Sequence, residues 1–130
     1  MKRLFTHCIL ALTLLLASCT GLSDMKQPND NAIFYNTEWS TNDNTEGLKF
    51  FSDDTVMYFA KNETKTGTFK YYPPDESIDV GLISFDGLTL TGNPPAEITT
   101  AGLETTTSLK VIWHKLGESK NYYMMMYKRR

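Results

Sequence analysis

Apolar and polar positions alternate along most of the chain after Glu38, and this period of two predicts a succession of short strands. Trp39 lies on the first of them. Leu48-Lys49-Phe50-Phe51 forms the second, and Ser52-Asp53-Asp54 turns the chain into Thr55–Ala60. The polar stretch Lys61–Thr64 turns it again into Thr66–Tyr72. Pro73-Pro74-Asp75 stops that strand, because proline cannot donate to a ladder. Ser77–Phe85 and Leu88–Thr91 flank Asp86-Gly87, a short hairpin signal, and Gly92-Asn93-Pro94-Pro95 breaks the run. A last pair, Ser108–Lys115 and Asn121–Lys128, is joined by residues 116–120. The threonine-rich residues 96–107 fit either a long loop or an irregular edge strand, and no segment after Glu38 carries a helical stripe.

The parity within these strands defines a buried side. Leu48 with Phe50, Ile78 with Val80 and Leu82, Leu88 with Leu90, and Leu109 with Val111 and Trp113 each share a face. Lys49, Asp79, Thr89, Lys110 and His114 face the other way, which is the half-buried pattern of an antiparallel sheet. Two strands are apolar or aromatic on both faces: Met57 and Phe59 oppose Val56 and Tyr58, and Tyr123, Met125 and Tyr127 oppose Tyr122, Met124 and Met126. Something beyond the core is expected to cover them. The fold class that follows is all-β, a single antiparallel meander of seven or eight short strands. Closing it into a small barrel removes the exposed edges; a two-sheet β-sandwich is the alternative.

The N-terminal region has a different pattern. Lys2 and Arg3 precede an apolar block, Leu4–Leu16, too short for the roughly 20 residues that span a bilayer. The block ends in Leu16-Ala17-Ser18-Cys19, which resembles the lipobox of bacterial lipoproteins. That resemblance implies that residues 1–18 are a cleaved signal peptide. It also implies that Cys19 becomes the first mature residue, acylated and palmitate-bearing, and holds the protein on a membrane. Thr20 stands where an Asp would signal retention at the inner membrane, so the family rule favours the outer membrane and leaves the face open. Residues 19–37, rich in Gly, Ser, Asp, Gln, Pro and Asn, are expected to be a flexible tether, and residues 38–130 the β-domain.

Composition narrows the partners. The chain has 13 Lys and Arg against 15 Asp and Glu, and loss of Lys2 and Arg3 would leave 11 against 15. The basic cluster Lys128-Arg129-Arg130 is too small to neutralise a phosphate backbone, so nucleic acid is not expected as a partner. The two cysteines, Cys8 and Cys19, both precede the domain, whose stability must come from packing without disulfides.

The first-strand tryptophan, Gly47-Leu48-Lys49-Phe50, the acidic turn, Thr55-Val56-Met57-Tyr58 and Thr66-Gly67-Thr68-Phe69-Lys70-Tyr71 together resemble small lipocalin-like lipoproteins of the Bacteroidetes type. Thr37-Glu38 stands where the lipocalin glycine usually precedes that tryptophan. The resemblance implies a lipid-anchored module of the cell envelope that binds a small apolar or amphipathic ligand. Trp39, Phe50, Tyr58 and Trp113 are the expected ligand-lining residues. The alternative is an envelope protein that meets a protein partner through its doubly apolar strands.

No enzymatic activity is expected. His114, the single histidine after Cys19, faces outward with no nucleophile-elbow pattern near it, and one histidine without a thiol is a poor metal set. Asn42, Asn44 and Glu46, with Asp53 further on, have the spacing of part of a calcium loop, but turn hydrogen bonding explains the same letters. Asp53-Asp54 and Asp75-Glu76 read as turn acids. Met124, Met125 and Met126 cannot converge on one ion from a strand. Asp54-Thr55-Val56 resembles a short O-glycosylation signal of Bacteroidetes exported proteins. No cofactor is expected.

Overall fold

The computed structural model describes residues 29–130. The signal segment, Cys19 and the first part of the tether lie outside them. The strands are β1 (Glu38–Ser40), β2 (Glu46–Phe50), β3 (Thr55–Ala60), β4 (Glu63–Tyr72), β5 (Gly81–Asp86), β6 (Thr89–Leu90), β7 (Ala96–Thr105), β8 (Ser108–Lys115) and β9 (Asn121–Lys128). They hydrogen-bond in the order β5-β4-β3-β2-β1-β9-β8-β7-β6, and β5 also pairs with β7. Eight strands thus close into an antiparallel, lipocalin-like barrel, with β6 as an extra strand on β7. The β1–β9 and β5–β7 ladders complete the ring, which excludes the sandwich.

Inward parity follows the apolar positions expected for β2 and β8, and on the doubly apolar β3 and β9 the structure turns Val56, Tyr58 and Met126 inward. Leu48, Phe50, Val56, Tyr58, Leu109, Val111 and Met126 are all buried. On β8 and β9 the inward residues meet across the ladder as Leu109 with Met126, Val111 with Met124 and Trp113 with Tyr122. The outer side of β3 is partly self-covered. A Cβ on Gly47 would meet the Phe59 ring, so the missing side chain lets that ring lie flat on the sheet.

Four expectations are corrected. The packed body begins before Glu38: Asp30–Phe34 form a 3-10 helix, and Phe34 is 1% exposed in the core. Residues 96–105 are a full strand, and β7 is the strand on which the barrel closes rather than an edge. Its register shifts between Ile98 and Thr100 and between Leu103 and Thr105, which breaks the simple alternation. The segment from Ser77 becomes a strand only at Gly81, so Ile83 and Phe85 point inward and Leu82 does not. The cause is local: the Asp75 carboxylate accepts the Ser77 N–H at 2.7 Å and the Ile78 N–H at 3.0 Å, holding residues 75–78 in a turn.

The fourth correction concerns Asp86-Gly87, which does not join a hairpin. Gly87 has φ +89°, a region that favours glycine, and turns the chain so that Thr89 pairs with Glu97 on β7. The turn passes close over β4, where a Cβ on Gly67 would collide with the Asp86 carbonyl.

Candidate functional site

The two ends of the barrel differ in chemistry. At one end the 3-10 helix crosses the opening and inserts Phe34 among aromatic rings. Its ring centroid lies 5.0 Å from Tyr71, 5.1 Å from Phe50 and 5.9 Å from Trp39, and Phe50 meets Phe69 edge-on at 4.8 Å. Trp39 Nε1 donates to Thr37 Oγ1 at 3.0 Å, and the Thr37 hydroxyl donates to the Phe34 carbonyl. The buried indole N–H is therefore satisfied.

Asn31 latches this plug to β4. Its Nδ2 donates to the Phe69 carbonyl and to Asp54 Oδ1, while its Oδ1 accepts the Tyr71 N–H at 2.7 Å. The Tyr35 hydroxyl donates to the same Asp54 oxygen at 2.5 Å. Hydrogen bonds from Tyr35 and then Asn31 hold the Asp54 carboxyl below its ordinary range. Packing closes the barrel interior at this end, and a groove of about 380 Å³ runs along the outside of the latch, lined by Asn29, Asp30, Asn31, Asp54, Lys70 and the edges of Phe69 and Tyr71.

The opposite end is open. A cleft of about 360 Å³ lies at the mouth. Leu90, Ala96, Trp113 and Met124 give it an apolar wall, and Glu46, Tyr58 and Glu63 a polar one. Trp113 stacks on Tyr122 with centroids 4.5 Å apart and planes 16° from parallel. The Lys120 and Lys115 ammonium groups sit over the Tyr122 ring at 4.9 and 5.7 Å, outside the cleft lining. The Tyr58 hydroxyl donates to Glu46 Oε2 at 2.7 Å. Burial, and then that bond, push the phenol above its ordinary value, so Tyr58 remains a donor. Glu63 Oε1 accepts the Thr91 N–H at 2.6 Å, tying the segment after β6 to the rim.

The structure brings Tyr58 and Trp113 together at this cleft and places Trp39 and Phe50 in the aromatic plug at the other end. Sequence reasoning missed Glu46, Glu63, Leu90 and Met124 as lining residues. The signal was present, because Glu46 shares parity with Leu48 and Phe50, and Glu63 shares it with Phe69 and Tyr71.

The other candidates resolve into structural roles. Asp43 accepts hydrogen bonds from Thr41 and Thr45, Glu46 turns inward to Tyr58, and Asp53 lies across the barrel capping Thr55. The calcium-loop spacing is therefore a turn followed by a strand. His114 lies 3.9 Å from Glu97 as an outward cross-strand pair. Met125 points away from Met124 and Met126, and the Thr55 hydroxyl donates to Asp53 Oδ1. Cys19 lies outside the described residues. Comparison with family models, curated proteins and solved structures finds no match to this chain.

Proposed function

We propose that this protein is a lipoprotein of the cell envelope, anchored through Cys19, whose barrel holds a small apolar or amphipathic ligand. The observation that carries the ligand reading is the asymmetry of the barrel: aromatic rings fill its interior at one end and leave only a polar groove outside the latch, while the other end opens into the cleft of about 360 Å³ with its apolar wall of Leu90, Ala96, Trp113 and Met124. That volume falls at the small end of the roughly 300–1,000 Å³ typical of ligand sites. The anchor and the outer-membrane location rest on the Leu16–Cys19 motif and on Thr20.

Native mass spectrometry of the Cys19→Ala chain tests the ligand reading. A small molecule that co-purifies and leaves on denaturation supports it. A clean apo mass, with no uptake from a panel of short-chain lipids and metabolites, overturns it.

A second reading has its own support. On the outer surface Tyr123 is 58% exposed and Met125 37% exposed, on a strand flanked by Ile112. Aromatic and methionine side chains of this kind are enriched at protein interfaces. Under this reading an envelope partner covers β9, and Met125→Asp, away from the cleft that Tyr123 also borders, abolishes its cross-linking while Trp113→Ala does not.

A further inference from the structure

The charges at the mouth are more specific than the cleft itself. Glu46 pairs with Ala60 across β2 and β3, and Ala60 pairs with Glu63 across β3 and β4. The two carboxylates therefore flank Ala60 on the inward face, with Cα atoms two strand spacings apart, roughly 10 Å. Between them stands only the small methyl side chain of Ala60. Both carboxylates line the cleft, and neither has a Lys, Arg or His nitrogen within 4 Å among the described residues. Lys65, on the same inward face of β4, does not line the cleft. Each carboxylate accepts one hydrogen bond there, from Tyr58 and from the Thr91 N–H, and retains free acceptor capacity.

We propose that the ligand of this cleft is an amphipathic cation. Its ammonium lies between Glu46 and Glu63, and its apolar body lies against Leu90, Trp113 and Met124. This rests on the ligand-binding reading above and assigns its chemical class. A neutral apolar ligand here would strip water from two carboxylates and return nothing to them. An anion would meet both charges at close range. A cation compensates the desolvation it causes, and the Trp113 ring, held by its stack on Tyr122, offers the apolar tail a rigid wall. Lys115 and Lys120, the cations on the opposite lip, are already engaged with the Tyr122 ring.

The test uses the full chain with Cys19→Ala and three probes of matched length: octylammonium, octanol and octanoate. Binding is read by calorimetry and by Trp113 fluorescence, since Trp39 is buried at the far end. The cation is expected to bind at least five-fold tighter than octanol, and octanoate weakest. Glu46→Gln and Glu63→Gln, which keep one acceptor oxygen for the Tyr58 or Thr91 donor, each lower cation affinity about five-fold and leave octanol unchanged, as expected for loss of one partly screened charge. Added salt weakens the cation alone. Equal binding of cation and octanol overturns the cationic class and leaves the ligand reading standing. Octanoate binding tightest overturns it too. Failure of all three to bind overturns both readings.

Discussion

Phe34→Ala tests whether the 3-10 helix is part of the fold. Phe34 is 1% exposed, and full burial of such a side chain is worth about 1.5–3 kcal/mol of transfer free energy. Truncation also leaves a cavity, which raises the loss to about 3–5 kcal/mol when the surroundings cannot collapse. Here they are large rings fixed on separate strands, Trp39 on β1, Phe50 on β2 and Tyr71 on β4, with centroids 5.0–5.9 Å away. We therefore expect a loss of about 4 kcal/mol, a large share of the roughly 5–15 kcal/mol typical of a domain. Urea unfolding measures it, followed by fluorescence of Trp39 in a Trp113→Phe background so that the signal comes from the plugged end. Ile33→Ala is the control: that neighbour is 57% exposed, and its change should stay within about 0.5 kcal/mol. A Phe34→Ala loss below about 1 kcal/mol would contradict a packed role for the helix. It would mean that the barrel stands without its plug and that residues 29–37 behave as the tether their composition predicts.

Three further outcomes are expected. The Asp43, Asp53, Asp54 and Asp75 carboxyls are all held below their ordinary range by hydrogen bonds, chiefly from neighbouring hydroxyl groups. A carboxyl with a depressed folded-state pKa contributes stability above its unfolded value and loses it as pH falls through the folded one. Thermal stability should therefore drop below about pH 4, and Asp54→Asn, which suits the left-handed φ of 67° there, should make that drop shallower; an unchanged slope would count against the latch. Gly67→Ala drives a methyl group into the Asp86 carbonyl and should cost about 1–3 kcal/mol in chemical denaturation. Cys19→Ala should abolish palmitate labelling in cells, and persistent labelling would sink the anchor assignment.

The barrel was legible where a strand is paired on both sides and apolar on one face. Leu48 with Phe50 and Leu109 with Val111 set their registers by alternation, and the structure keeps that parity. It was misread where side chains outside the alternation decide the conformation. Asp75 delays β5 by capping a turn, and one shifted start moved the buried set from Leu82 to Ile83 and Phe85. Gly87 turns through a left-handed φ, so the chain pairs β6 with β7 rather than with β5. The 3-10 helix was hidden for another reason. Asn29, Asp30 and Asn31 look like linker residues, and their ordering comes from Asn31 bonding to β4, 38 to 40 positions away in sequence. No local pattern carries a contact at that separation.

Closure and opening are written on the same inward stripes, read in opposite directions. From the plugged end, β2 presents Phe50, Leu48 and then Glu46, while β4 presents Tyr71, Phe69, Gly67, Lys65 and then Glu63. Aromatic bulk gives way to charge as each strand nears the mouth. The bulk is placed where the 3-10 helix can pack on it and exclude water. A carboxylate at the depth of Phe50 would be buried with no partner, at a cost of several kcal/mol. At the rim, Glu46 keeps partial access to solvent and accepts the Tyr58 hydroxyl. The gradient thus separates the residues that hold the barrel closed from those free to meet a ligand. Glu46→Gln and Glu63→Gln, which keep an acceptor for the Tyr58 hydroxyl and the Thr91 N–H, should therefore change binding while leaving the unfolding midpoint nearly where it was, and a large loss of stability from either would contradict this division.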